Sequence, residues 1–137
     1  MNLDSSAFHA APELVRALEK QATSIFCPED SILFRQGEAS AGLYIIDRGS
    51  ATLTMHLEQD EPILSLKVGE GSLLGLPGLI SNEALTLTAT AHKDSHVSFI
   101  TREDFMALMR SDPLLSVKVL EVLAAEVRTA RYAIINR

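Results

Sequence analysis

Apolar and polar residues alternate one by one through the middle of the chain, and this alternation sets the fold class. The clearest runs lie at 52–57, 64–68 and 85–91. A period of two residues places one face of a strand against a core and the other against water, as in antiparallel sheets. Turn-forming residues separate the runs at short intervals, and no long helical pattern interrupts them between 25 and 100. The pattern predicts a β-sandwich, barrel or jelly roll over 25–100.

A helical pattern precedes the predicted strands. Apolar residues recur at three- and four-residue spacing after Pro12, a residue that suits the start of a helix. We predict a short amphipathic helix over about residues 13–23. Residues 1–12 are small and mixed in character, and we expect them to be loose.

Two more helices are predicted after the last strand. Thr101, followed by Asp104 three residues later, is typical of a helix cap, so we predict a helix over about residues 102–110. The sequence Ser-Asp-Pro at 111–113 ends this helix and begins the next, which we predict to run over about residues 113–134.

Composition restricts the classes of function. The 137 residues, which suit a single domain over 1–137, carry a net charge of −6, opposite to that of most nucleic-acid binders. One cysteine, Cys27, excludes a disulfide within the chain and a four-cysteine metal site. No apolar run reaches the ~18 residues of a membrane span, and the N-terminus does not resemble a secretory signal. We therefore expect a cytoplasmic setting and no membrane association.

Two segments resemble a known family. Residues 31–38 read Ser-Ile-Leu-Phe-Arg-Gln-Gly-Glu, and residues 42–49 read Gly-Leu-Tyr-Ile-Ile-Asp-Arg-Gly. They resemble the first strands of the cyclic-nucleotide-binding domain family, the sensor half of bacterial Crp/Fnr-type regulators, with Gly37, Gly42 and Gly49 at turn positions. The resemblance continues through Gly-Glu-Gly-Ser-Leu-Leu-Gly at 69–75 to the C-terminal helices. It implies a double-stranded β-helix (jelly roll) of about eight antiparallel strands with flanking helices.

In that family the ligand lies against a cassette that opens with Gly-Glu and ends with Arg before Ser, Thr or Ala. The Arg pairs with the cyclic phosphate, and the Glu accepts a hydrogen bond from the ribose. In this chain Leu76 stands in the Glu position and Leu85 in the Arg position, while Pro77 removes a backbone donor. No Arg or Lys lies between Val68 and His92. We therefore predict that cyclic AMP does not bind in the usual way.

The sequence leaves three alternatives for the pocket. Apolar side chains could close it, it could hold a less charged ligand beside Thr86 and Thr88, or it could bind a cyclic nucleotide unusually. The side chains expected to make this region apolar are Leu73, Leu74, Leu76, Leu79, Ile80 and Leu85. The predicted pocket positions are Gly75, Leu76, Pro77, Gly78, Leu79, Leu85, Thr86 and Thr88.

The remaining reactive residues form no catalytic or metal motif. His92 and His96 flank a predicted hairpin turn and would supply only two ligands, whereas zinc prefers three or four. Some relatives in the family bind haem, but no spacing here indicates a haem ligand, and Cys27 is expected to pack as a small apolar residue. We predict no metal, no cofactor and no enzymatic activity.

The last predicted helix carries two apolar rows. One row has coiled-coil spacing and consists of Leu120, Leu123, Val127, Ala130 and Ile134. The other row, Leu115, Val119 and Val122, is expected to pack on the chain's own strands. The family resemblance implies that the first row pairs with its twin in a homodimer. It also implies that polar residues of this helix reach the ligand, with Thr129 and Arg131 as candidates.

Crp/Fnr-type regulators continue past this helix into a helix-turn-helix that reads DNA. This chain ends at Arg137, so we expect no direct DNA binding by it, and it could be a stand-alone protein or a fragment. We predict a non-enzymatic sensor module for an unknown small-molecule ligand. The alternatives are a ligand-free structural or dimerisation module and a true cyclic-nucleotide-binding domain with an unusual pocket.

Overall fold

Two antiparallel four-stranded sheets form the body of the protein in the computed structural model, which describes residues 5–57 and 61–135. The side chains of Ser5, Ala130 and Ala133 are left out of this description. The strands are β1 (Thr23–Cys27), β2 (Ser31–Phe34), β3 (Gly42–Arg48), β4 (Ala51–Met55), β5 (Leu64–Val68), β6 (Leu73–Leu74), β7 (Thr88–Ala91) and β8 (Ser95–Thr101). Their order is β1-β8-β3-β6 in one sheet and β2-β7-β4-β5 in the other. The mainly β fold expected from the alternation is confirmed.

Helices precede, interrupt and follow the strands. They are α1 (Pro12–Glu19), α2 (Leu76–Ser81), α3 (Arg102–Ser111) and α4 (Pro113–Ile135), preceded by a short 3₁₀ helix (Ser5–Phe8). The helices α1 to α4 pack on the outer face of the sheet that contains β3 and β8. None of the described helices has both the length and the apolar character that crossing a bilayer requires.

Buried apolar side chains form two separate cores. The inter-sheet core lies between the two sheets and is built around Phe34, Ile46, Ala51, Leu53, Met55, Leu64, Val68, Leu74, Leu85, Ala89, Ala91 and Val97. The helix-side core lies between the first sheet and the helices and is built around Leu14, Leu18, Leu43, Ile45, Leu73, Leu76, Leu79, Ile100, Phe105, Leu115, Val119 and Val122. Strand β3 is therefore buried on both faces, which explains its continuous apolar sequence.

The first predicted helix is shorter than expected. Helix α1 ends at Glu19 instead of residue 23, and Thr23 already begins strand β1, where it pairs with Phe99. The backbone hydrogen bonds of β1 with β8 outweigh the helical spacing of the apolar residues at this end.

The expectation that residues 1–12 are loose is wrong for the described part of that segment. Phe8 is only 2% exposed and joins the inter-sheet core, and Ala10 is also buried. The Ala10 N–H donates to the carbonyl oxygen of Gly71 at 2.9 Å. Burial of the Phe8 ring and of Ala10, together with this hydrogen bond, offsets part of the entropy cost of ordering the segment.

The predicted cap at the start of α3 is confirmed. The Asp104 N–H donates to Thr101 Oγ1 at 3.1 Å, and α3 begins at Arg102. Helix α4 begins at Pro113, as predicted, and runs one residue past the predicted end, to Ile135. The inner row of α4, formed by Leu115, Val119 and Val122, is buried in the helix-side core.

Candidate functional site

The cassette segment folds into the short helix α2. Gly75 precedes the helix with φ of +93°, a left-handed conformation that glycine adopts without a steric penalty. The Leu79 N–H donates to the Gly75 carbonyl at 3.2 Å, and the Glu83 N–H donates to the Gly78 carbonyl at 3.1 Å. Pro77 occupies the first turn and offers no N–H to an anion.

The two leucines at the Glu and Arg positions lie in different cores. Leu76 is 0% exposed and packs in the helix-side core, whereas Leu85 is 5% exposed and packs in the inter-sheet core. The leucines expected to make this region apolar are all buried or half-buried, but they are divided between the two sides of the first sheet. The reason is that α2 packs against the outer face of β3, and the chain returns to the inter-sheet side only at Leu85.

Leu85 is fixed by the Gln-Gly-Glu turn at 36–38. The Gly37 N–H donates to the Leu85 carbonyl at 2.7 Å, and the Leu85 N–H donates to the Glu38 carbonyl at 2.8 Å. This pairing replaces the regular strand predicted for the start of the 85–91 run, so β7 begins only at Thr88. The turn and the end of the cassette consequently form one unit.

The two threonines predicted to line a ligand pocket lie in different environments. Thr86 is exposed, whereas Thr88 is half-buried and its Oγ1 accepts a hydrogen bond from the Gln36 N–H at 2.9 Å. Thr88 lines an open cleft of about 460 Å³, which we call the Arg35 cleft. The residues that line the Arg35 cleft are Arg35, Gln36, Gly37, His56 and Thr88.

Arg35 places a cation close to the end of the cassette. This placement was not predicted from the sequence. Gln36 closes one wall, because its side-chain amide donates to the His56 carbonyl at 2.7 Å and accepts from the His56 N–H at 2.8 Å. The only signal in the sequence was the Gln-Gly-Glu turn itself. Its position beside Thr88 follows from the pairing of β2 with β7, which single-sequence periodicity does not reveal.

A second cleft of about 460 Å³ lies on the other side of the turn, and we call it the Glu38 cleft. It is lined by Leu33, Phe34, Glu38, Ala39, Ala41, Gly42, Tyr44 and Leu85. The ring centroids of Phe34 and Tyr44 are 5.8 Å apart, and those of Tyr44 and Phe99 are 4.8 Å apart. Partial burial, together with the negative charge of Glu38, raises the pKa of Tyr44.

Two carboxyl groups meet where α1 approaches β3. A hydrogen bond with Asp47, burial and the charge of Asp47 raise the pKa of Glu19 to about 7. Ser98 Oγ donates to Asp47 Oδ2 at 2.5 Å, while Asp47 Oδ1 is buried without a basic partner among the described residues. The folded protein therefore favours the protonated form of Glu19, which can donate a hydrogen bond to Asp47.

The inner face of α4 holds a second unusual acid. Glu126 is 4% exposed, and its Oε1 has no hydrogen-bond partner within residues 5–57 and 61–135. Burial raises the pKa of Glu126 well above its ordinary value. Of the two ligand candidates on this helix, Thr129 is buried and Arg131 is exposed. The periodicity of the helix did not single out Glu126.

The row of α4 predicted to pair with a twin helix is largely uncovered. Leu120 is 59% exposed, Val127 51% and Ile134 40%, whereas Leu123 is half-buried against the helix-side core. The Ala130 side chain lies outside the described residues.

The two histidines that flank the predicted hairpin turn have different partners. The ring nitrogens of His92 lie 2.7 Å from Ser50 Oγ and 2.6 Å from Thr52 Oγ1, whereas the His96 ring packs on Phe26 with centroids 4.9 Å apart. His92 is half-buried, whereas His96 is exposed. In the described part of the chain, no three His, Cys, Asp or Glu side chains are placed to hold a metal ion. Cys27 packs in the inter-sheet core as expected.

Comparison with known proteins agrees with this architecture. The cyclic nucleotide-binding domain model matches residues 25–112. The cyclic AMP receptor protein of Thermus thermophilus is 31% identical over 128 residues, which cover 92% of this chain and 59% of that receptor. A fungal protein, the lysophospholipase nte1 of Neurospora crassa, is 24% identical over 97 residues, which cover 71% of this chain and 6% of that enzyme.

Solved structures share the same fold. The catabolite activator protein of Thermus thermophilus superposes with a TM-score of 0.77 and 27% identity over 93% of this chain and 61% of that one. The chain thus spans about three fifths of these regulators. With its two sheets, its cassette helix and the match over residues 25–112, the chain belongs to the cyclic nucleotide-binding domain family.

Proposed function

We propose that this chain is a non-enzymatic, cytoplasmic regulatory module that does not bind cyclic AMP in the manner usual for its family. One observation carries the proposal. Buried leucines occupy both cassette positions that would bind the ribose and the phosphate, and Leu76 does not lie in the same core as Leu85. Neither position can neutralise or hydrogen-bond an anionic ligand.

The energetic cost of these two leucines is large. A hydrogen bond to a charged group is worth about 1.5–3 kcal/mol, and about 1.4 kcal/mol corresponds to a tenfold change in affinity. Two such losses, together with the desolvation of an unpaired phosphate, lower the affinity by several orders of magnitude.

Calorimetric titration of the full chain with cyclic AMP and cyclic GMP tests the proposal. We expect no binding in the micromolar range, and micromolar binding would contradict the proposal. Leu85→Arg restores a cation at the cassette end, whereas Thr86→Arg adds the same charge at the exposed neighbour. We expect Leu85→Arg to bind cyclic AMP at least tenfold more tightly than the control Thr86→Arg.

A second candidate is a true cyclic-nucleotide-binding domain with an unusual pocket, which the Arg35 cleft favours. Arg35 and Thr88 line this cleft together and offer a cation and a hydroxyl to a phosphate. If the titration shows binding, Arg35→Gln should abolish it. The matched control is Lys67→Gln on β5, an exposed cation outside the residues that line the cleft.

We further propose that the module forms a homodimer through α4. The exposed residues Leu120, Val127 and Ile134 support this, because an apolar row on a long helix is commonly covered by a partner. Light scattering at tens of micromolar should give a dimer, which Leu120→Glu should convert to a monomer. Glu121→Lys, an exposed neighbour outside the predicted row, is the control. A monomeric unmodified chain would contradict this proposal.

A ligand-free structural or interaction module remains the alternative to a sensor. The two differ in the response of the melting temperature to a panel of nucleotides and metabolites, because a ligand of the native state raises it. A shift supports the sensor, and the absence of any shift, combined with a stable dimer, supports the structural module.

A further inference from the structure

The Glu38 cleft combines aromatic walls with a single acid. Phe34 and Leu85 are buried at its base, Tyr44 is half-buried, and Leu33 contributes a further apolar side chain. A volume of about 460 Å³ suits a small organic molecule.

Close packing behind the cleft fixes the aromatic rings. A Cβ on Gly42 would clash with the Ile100 carbonyl oxygen and would lie 2.7 Å from Phe99 Cζ, so glycine lets β8 and the Phe99 ring approach β3 at this point. Phe99 in turn packs against Tyr44, and Tyr44 packs against Phe34. The cleft therefore presents a preformed ring surface, which costs little ordering entropy when a flat ligand binds.

The acid of the cleft is also held in place. The Arg35 N–H donates to Glu38 Oε1 at 2.8 Å, while the main chain of Glu38 is paired with Leu85. The Glu38 and Tyr44 side chains both line this cleft.

No cationic side chain is among the residues that line this cleft. Of the arginines on neighbouring segments, Arg35 lines the opposite cleft, and Arg102 donates from Nε to the Leu79 carbonyl at 3.0 Å. The Glu38 carboxylate is therefore the one formal charge on the lining of a cleft with aromatic walls.

We propose that the Glu38 cleft binds a small ligand that carries a flat apolar ring and a cationic amine. The ring packs against Phe34 and Tyr44, and the ammonium group pairs with Glu38 near the face of the Tyr44 ring. An anionic ligand is repelled by the same carboxylate. This inference rests on the proposed function and deepens it, because Leu85 of the cassette also lines this cleft, and it assigns to the cleft a ligand of opposite charge.

Three probes with one ring and different charges test the inference on the full chain. Tryptamine is a cation, tryptophol is neutral, and indole-3-acetate is an anion. Calorimetry should show tryptamine binding at least tenfold more tightly than tryptophol, with no measurable binding of indole-3-acetate. Added salt should weaken the binding of tryptamine more than that of tryptophol.

Substitutions test whether Glu38 provides the negative charge that binds tryptamine. Glu38→Gln should reduce tryptamine affinity to that of tryptophol, whereas Glu29→Gln, an exposed acid outside the lining, should change neither. Tyr44→Leu should weaken both probes, and unchanged melting temperatures would show that the variants fold. Equal binding of tryptamine and indole-3-acetate, equal effects of the two Gln variants, or no binding of any probe would each overturn the proposal. A failure of the probes to bind would leave the cyclic AMP titration unaffected, so failure of this inference and failure of the proposed function are distinguishable.

Discussion

The two cores of the domain differ in the size of the side chains that fill them and in their access to solvent. The helix-side core is closed, and its centre consists of large aliphatic side chains and Phe105, all 0% exposed. The inter-sheet core contains small residues at Ala51, Ala89 and Ala91, and one of its buried leucines, Leu85, lines an open cleft. The difference indicates that the helix-side core contributes more to stability, while the inter-sheet core borders the Glu38 cleft.

The cassette gives the sharpest test of this comparison, because it contributes one leucine to each core. Leu76→Glu places a carboxylate in the closed core without a partner, and we expect it to lower the free energy of unfolding by about 4 kcal/mol or more. Leu85 lies at the edge of a cleft, so Leu85→Glu should lower the free energy of unfolding by about half as much. Urea denaturation measures both, and equal losses would show that the two cores do not differ.

Phe8 tests whether the N-terminal segment belongs to the inter-sheet core. Phe8→Ala removes a ring that is 2% exposed and should lower the free energy of unfolding by about 3 kcal/mol. His9→Ala, at the exposed neighbouring position, is the control and should have little effect. A loss below about 0.5 kcal/mol for Phe8→Ala, the usual range for surface substitutions, would mean that the segment contributes nothing to the core.

Glu126 tests whether the helix-side core leaves a buried carboxyl group on α4 without a partner. We expect Glu126→Leu to raise the free energy of unfolding at pH 7 by about 1–2 kcal/mol, because it removes the cost of burying a polar group without a partner. Glu121→Leu, at an exposed position of the same helix, should not stabilise the protein. A destabilised Glu126→Leu would reveal that the carboxyl group has a favourable partner.

The smallest expected effect is a pH dependence at the contact between α1 and β3. The folded-state pKa of Glu19 is about 7 against an ordinary 4.5, so the folded protein holds the proton more tightly than the unfolded chain. The stability from this group is fully present below about pH 4.5 and is lost as pH rises to about 7. Urea midpoints from pH 5 to pH 8 should fall more steeply for the unmodified chain than for Asp47→Asn. If the urea midpoints of the two proteins fell equally with pH, the effect of Asp47 on the pKa of Glu19 would be contradicted.

Local patterns in the sequence predicted the strands, the cap at Thr101 and the inner row of α4, because each depends on neighbouring residues. The division of Leu76 and Leu85 between two cores was not predicted, since it depends on where α2 packs against β3. The sequence also did not predict that Arg35 and Thr88 line the same cleft. Strands β2 and β7 lie far apart in the sequence, and only their pairing brings these residues together.

The turn at 36–38 has a consequence for any pair of ligands. It separates a cleft that carries Arg35 from a cleft that carries Glu38, and both sides share the backbone pairing with Leu85. If a ligand in one cleft shifted this turn, it would change the affinity of the other cleft, and thermodynamic reciprocity would make the two effects equal. Two ligands of opposite charge, one in each cleft, would then influence each other through these three residues.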